Sequence, residues 1–183
     1  MKKFLPLIIF ISGLFLIASP LCALEISIGG STIEVGSVDQ VLSQTSLGNS
    51  GENTEESWVN GVLTSLGLGT GWEIVSKNES VETTQVNGTG NESLYAFELS
   101  EEPTYYLVKL GNVSSGYDTF LYKNLAVLTY GVVDINAWGT NANIGKLSHV
   151  SEGQGTSVPE PFTLLLLGLG LVGLAGAGRK LKK

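Results

Sequence analysis

The 183-residue chain has one cysteine, one histidine and one methionine. Cys22 and Met1 both fall within its first 22 residues, so from residue 23 onward there is no thiol. That excludes a disulfide, a thiol nucleophile and a Cys-based metal site in that stretch. The single imidazole, His149, has no nitrogen or sulfur partner with which to hold a transition metal. Positive charge is also scarce. Between Leu24 and Val158 only Lys77, Lys109, Lys123 and Lys146 stand against sixteen acidic residues, a net of −12. Such a surface repels phosphate backbones and anionic membranes, which argues against a nucleic-acid partner. Proline is rare in the same stretch, where Pro103 stands alone.

What the middle lacks in apolar runs and basic residues, the two ends supply. Lys2 and Lys3 precede an apolar run over residues 5–17, and Pro20 breaks it before Ala23. This order predicts a secretory signal peptide over residues 1–23, cut between Ala23 and Leu24. Cys22 does not make a lipid-attachment site, because bulky Leu21 stands where a small residue is needed. At the other end, Val158-Pro159-Glu160-Pro161 leads directly into residues 162–178, seventeen positions without a charge. As a helix that run would span about 26 Å, slightly short of a hydrocarbon core of about 30 Å. Gly168, Gly170, Gly173, Gly176 and Gly178 offer a small-residue surface for close helix packing. Arg179, Lys180, Lys182 and Lys183 follow as a basic stop that stays cytoplasmic by the positive-inside rule. The prolines around Glu160 disfavour helix and keep the motif extended, accessible to an enzyme's cleft.

This three-part end resembles the PEP-CTERM sorting signal of Gram-negative bacteria. The resemblance covers residues 158–183 and assigns Pro159, Glu160 and Pro161 to the recognition motif. It implies an exosortase, a membrane protease, as processing partner, and delivery to the cell surface or extracellular matrix. A simple single-span anchor is the alternative reading of the same residues.

The intervening residues, 24–157, are enough for one domain with a core. Strands are expected at 25–28 and 31–35, forming a hairpin over Gly29-Gly30, and then at 72–76, 93–99, 104–110, 120–122, 126–134 and 146–150. Leu94, Ala96 and Glu98 alternate with Tyr95, Phe97 and Leu99. Ser114-Ser115-Gly116, Asn87-Gly88 and Gly139-Thr140-Asn141 mark turns, and 49–52 and 77–91 read as polar loops. One helix is expected, with Asn53 and Glu56 at capping-box spacing, Trp58, Val59, Val62, Leu63 and Leu66 on one stripe, and Gly67 as its stop. The fold class is therefore mainly β: an antiparallel β-sandwich or jelly-roll-like domain with one short helix packed on its end. Residues 105–112, 117–124 and 144–150 are similar to the exported domains often found upstream of this sorting signal. That similarity implies a fold and no chemistry.

Candidate sites are few. Ser57, His149 and Asp134 could be drawn as a hydrolytic triad, but nothing in their spacing brings them together, and Ser148 faces away from its neighbour His149. A structural hydrogen bond suits a last-strand histidine better. Asp118, Asp134, Asn136, Asn141 and Asn143 offer oxygen ligands for calcium, yet their positions are those of turn formers. Trp72, Trp138, Tyr117 and Tyr130 offer stacking faces for a sugar, or core. Acceptor patterns for glycosylation at Asn78, Asn87, Asn91 and Asn112 are incidental in loops so rich in Asn, Ser and Thr. No cofactor, metal or catalytic residue is expected. The expected function is that of an exported, non-enzymatic surface or matrix protein associated with exopolysaccharide or biofilm. The alternative is a carbohydrate-binding module.

Overall fold

The computed structural model describes residues 23–48, 51–114, 116–125, 129–140, 142–157 and 168–170. The chain is mainly β. Among the described residues ten strands, all paired antiparallel, form sheets of two, five and three strands. Strands β1 (Leu24–Ile28) and β2 (Ser31–Gly36) make the expected hairpin. Its turn residues Gly29 and Gly30 both have positive φ, 59° and 86°, as a two-residue turn matched to strand twist requires.

The five-stranded sheet has the order β3-β8-β7-β10-β4. Its strands are β3 (Gln40–Thr45), β4 (Gly69–Asn78), β7 (Tyr105–Leu110), β8 (Thr119–Lys123) and β10 (Leu147–Ser157). Strands β5 (Thr83–Gln85), β6 (Leu94–Glu98) and β9 (Tyr130–Asp134) form the three-stranded sheet. Helix α1 (Glu52–Ser65) stands between β3 and β4 in sequence.

Period-two alternation decides how these pieces stack. In β7, Tyr106, Val108 and Leu110 join Phe120, Tyr122, Val150 and Trp138 in a core shared with Phe97, Leu99 and Val133 of the three-stranded side. The alternate residues, Tyr105, Leu107 and Leu121, face the other way and pack with Val59 and Leu63 of α1 and with Trp72. In the three-stranded sheet the opposite register, Leu94, Ala96 and Val132, meets Ile26 and Val35 of the hairpin. The layers are therefore helix, five-stranded sheet, three-stranded sheet and hairpin. This is why β7 is buried at every position.

The helix differs from expectation at its start. Its N-cap is Gly51, and Asn53 lies inside the first turn, so no capping box forms. Glu56 is drawn elsewhere: its Oε1 accepts the backbone N–H of Ile74 at 2.9 Å. The stripe is centred on Val59 and Leu63, with Trp58 and Val62 at its margin and Leu66 exposed. Gly67, with φ at 67°, ends the helix as expected. Its N–H reaches the Thr64 carbonyl, and that of Leu68 reaches Leu63, the pairing of a Schellman motif.

Side chains of α1 also close the sheet edge. Strand β4 is terminal in its sheet, so one row of its backbone groups faces away from β10. Asn60 Oδ1 accepts from Trp72 N–H, and Asn60 Nδ2 donates to the Trp72 carbonyl, both at 2.8 Å. With Glu56 on Ile74, the helix stands in for a missing strand. Asn60→Ala should lower unfolding free energy by about 1–3 kcal/mol, because it strips partners from partly buried backbone groups. Urea denaturation measures this. No change in midpoint would mean that water serves the edge equally well.

Candidate functional site

Charged residues inside β structure need partners, and this chain buries several: Asp39, Glu55, Lys109, His149 and Glu152. Three of them gather near one end of the five-stranded sheet. Lys109, near the end of β7, donates to Asp118 Oδ1 at 3.0 Å and to Thr119 Oγ1 at 2.8 Å. Asp118 also accepts the N–H groups of Leu47 at 3.0 Å and Gly48 at 2.9 Å, and the hydroxyl of Thr119 at 2.7 Å. Burial alone would raise its pKa. The bonds from Thr119, Leu47 and Lys109, with the Lys109 charge, outweigh burial and hold the carboxyl below its usual range.

His149 lies on the helix-facing side of β10, and its Nε2 is 3.2 and 3.3 Å from the two Glu55 oxygens. Glu55 precedes Val59 and Leu63 at spacings of four, so it extends the buried stripe of α1 and meets the histidine there. These groups border an open polar cleft of about 510 Å³, lined by Lys77, Glu79, Lys109, Asp118, Ser148 and His149 among others. Lys77 pairs with Glu79 at 3.7 Å, a solvent-facing contact of little energetic weight. Each basic side chain of the cleft thus has a carboxylate of its own.

The triad drawn from sequence does not assemble. Asp134 accepts from Ser93 Oγ at 2.6 Å and from Asn136 N–H at 2.9 Å, while the carboxylate on His149 is Glu55. Ser57 is exposed on α1. The calcium candidates are similarly engaged: Asp118 accepts from protein donors with both oxygens, Asp134 with Oδ1, and Asn143 begins a 3-10 turn. Asn141 lies outside the described residues. Among the described residues no group of three or more His, Cys, Asp or Glu is placed to hold a metal ion.

The sugar-stacking candidates divide. Trp72 and Trp138 are core, at 1% and 4% exposure, and Trp138 Nε1 donates to the Tyr122 hydroxyl at 2.8 Å. Neither offers a face to a ligand. Tyr130 is partly buried against the hairpin core, and Tyr117 is 48% exposed. Asn78 and Asn91, read as acceptor patterns, cap Asx turns by accepting from Ser80 and Ser93.

A second polar centre had no counterpart in the sequence reading. Asp39, between β2 and β3, accepts the Tyr106 hydroxyl at 2.8 Å and the N–H groups of Leu125 at 2.8 Å and Val132 at 3.0 Å. Burial raises its pKa, partly offset by those donors, and burial with the nearby Asp39 charge pushes the Tyr106 hydroxyl well up. Glu152 likewise accepts the N–H groups of Ser100 and Glu101, at 2.8 and 3.1 Å. Both carboxylates serve as internal staples for loops.

The sorting residues lie past the end of β10. Residues 157–180 match the family model described as the PEP-CTERM protein-sorting motif. The chain carries a PEP-CTERM sorting motif. The match includes Pro159, Glu160 and Pro161, and takes in Arg179 and Lys180 of the basic stop. A PEP-CTERM motif indicates exosortase-dependent sorting of an exported protein. No curated protein and no solved structure matches the chain.

Several expected features of a PEP-CTERM protein fall outside the described residues. These are the signal peptide as far as Cys22, the tripeptide itself, the basic stop, and the span over 162–178 apart from Gly168-Leu169-Gly170, which are helical. Among the described residues no helix is long and apolar enough to cross a membrane. Ala23 is described, and β1 begins at the next residue, Leu24.

Proposed function

We propose that this chain is an exported, non-enzymatic surface or matrix protein whose sandwich-like domain, residues 24–157, is released by exosortase into an exopolysaccharide or biofilm layer. The sorting motif at 157–180 carries the reading. Supporting it, each candidate catalytic group of the cleft is engaged structurally: Lys109 by Asp118, His149 by Glu55. In this reading residues 1–23 direct export, and residues 162–178 hold the chain in the inner membrane until it is processed. The intact mass of the protein recovered outside the inner membrane tests it. Expected is a chain that begins at Leu24 and has lost Arg179 and the lysines after it. A chain of full length at both ends would refute it.

A carbohydrate-binding module is the second reading, and one observation favours it. The cleft borders His149, whereas the sorting motif starts at the other end of β10. The eight steps from His149 to Ser157 span about 26 Å at about 3.3 Å per residue, so the cleft lies well away from the point where the motif begins. Because Trp138 is core, the test belongs on the cleft rim. Glycan-array binding that disappears in Lys77→Ala/Glu79→Ala would favour this second reading, and no glycan binding by the wild type would discard it.

A further inference from the structure

The last strand before the motif is built in two parts. From Leu147 to Gly153, β10 pairs with β7, ending at Gly153↔Tyr105. Its pairing with β4 runs from Val150 to Ser157, ending at Thr156↔Thr70 and Ser157↔Gly69. Residues 154–157 are therefore held from one side only, and the register slips between Gln154 and Thr156. Residues 150–153 are an interior stretch gripped on both sides, and residues 154–157 are a strap. Opening the strap leaves the β7–β10 ladder and the core around Val150 intact.

The motif follows the strap with almost no slack. Pro159 stands two residues after Ser157, a reach of about 7 Å. A cleft that grips an extended peptide needs free backbone on both sides of the residues it reads. With the strap paired, the upstream side is a rung of a folded sheet. With it open, residues 154–157 add about 13 Å of free chain.

We infer that residues 154–157 are a releasable strap, and that an exosortase gains Pro159-Glu160-Pro161 of the folded protein by peeling them from β4. This rests on the sorting reading above. The folded domain would then set the rate of its own release: a tighter strap slows processing, and added slack speeds it.

The absence of cysteine after residue 22 makes the strap easy to lock. Residues directly opposite in an antiparallel pair have Cα atoms about 4.5–5.5 Å apart, within disulfide range. Thr70→Cys/Thr156→Cys therefore places two cysteines opposite one another across the strap. The experiment follows loss of the full-length chain over time, by pulse-chase in a host that has the exosortase. Four proteins are compared: wild type, the double-cysteine variant with and without reductant, a variant with eight Gly/Ser residues inserted between Ser157 and Val158, and Glu160→Ala/Pro161→Ala. Expected are at least tenfold slower processing of the oxidised cross-linked chain with recovery on reduction, and severalfold faster processing with the insertion. The insertion needs no cross-link, so it decides the matter if the cysteine variant misfolds. Wild-type rates for both the insertion and the cross-linked variant would overturn the strap while leaving the sorting reading intact. Identical processing of Glu160→Ala/Pro161→Ala and wild type, or no processing of wild type, would overturn the sorting reading and the strap with it.

Discussion

Gly153→Ala should cost about 3 kcal/mol or more, one of the largest effects of any small substitution in this chain. A methyl group on Gly153 would lie 2.1 Å from Trp72 Cε2 and 2.5 Å from both Cζ2 and Nε1. Trp72 is 1% exposed and packed among Val59, Leu63, Tyr105 and Leu107, so its ring has nowhere to go. Overpacking of this kind forces strained rotamers or backbone shifts. Gly111→Ala is the control, because its added carbon meets Ser148 Cβ at 3.6 Å, an ordinary contact. Denaturant midpoints should separate the two variants widely. In a Trp72→Leu background the Gly153→Ala cost should shrink, since the clash is with the ring. Equal costs in both backgrounds would contradict the packing account.

Asp39→Ala should be comparably severe, at about 3–5 kcal/mol. The carboxylate serves the Tyr106 hydroxyl and the N–H groups of Leu125 and Val132, and its removal leaves three donors at or near the core without a partner. Each such group costs about 1–3 kcal/mol when left unsatisfied. The pH dependence has a definite sign. Burial raises the Asp39 pKa in the folded chain, so between its ordinary and raised values the folded state binds more protons than the unfolded one. Stability contributed by this residue is present below the ordinary carboxyl pKa and declines as pH rises through that window. Asp118 behaves oppositely. Its lowered pKa means that its contribution is present above the ordinary value and is lost as pH falls through the lowered one. Melting curves of Asp39→Asn and Asp118→Asn across acid pH should therefore depart from wild type in opposite directions.

Much of the β framework was legible because its signals are local. The Gly29-Gly30 turn fixed the first hairpin, and the alternation in β6 correctly assigned Leu94 and Ala96 to one face and Tyr95 and Phe97 to the other. Strand β3 was missed because its two apolar residues, Val41 and Leu42, are adjacent, and a register shift between Val41 and Ser43 breaks the alternation. Strand β5 is three polar residues at a sheet edge, inside the 77–91 stretch whose composition is that of a loop. Strand β10 runs seven residues beyond its expected end, through Glu152, Gly153 and Gln154. Those residues look like a loop because the strand is glycine-rich for Trp72 and carries a carboxylate that staples Ser100 and Glu101.

The buried ion pairs were harder to see, since each joins residues far apart in sequence. Two signals were nevertheless present. Lys109 interrupts an otherwise apolar strand, and Glu55 sits one helical step before Val59 and Leu63. Asp39 gave no such signal, because its three donors come from separate segments of the chain. The sorting motif was readable for the opposite reason: it is a contiguous string whose meaning lies in sequence order.

The most direct test of the account is fractionation of wild type and Glu160→Ala/Pro161→Ala in a host that has the exosortase. An enzyme that reads the tripeptide should convert wild type to a shorter chain found outside the inner membrane. The double variant, with its apolar run and basic stop untouched, should remain full length and membrane-bound. Equal size and equal location for the two proteins would contradict the account and leave an ordinary single-span protein in its place.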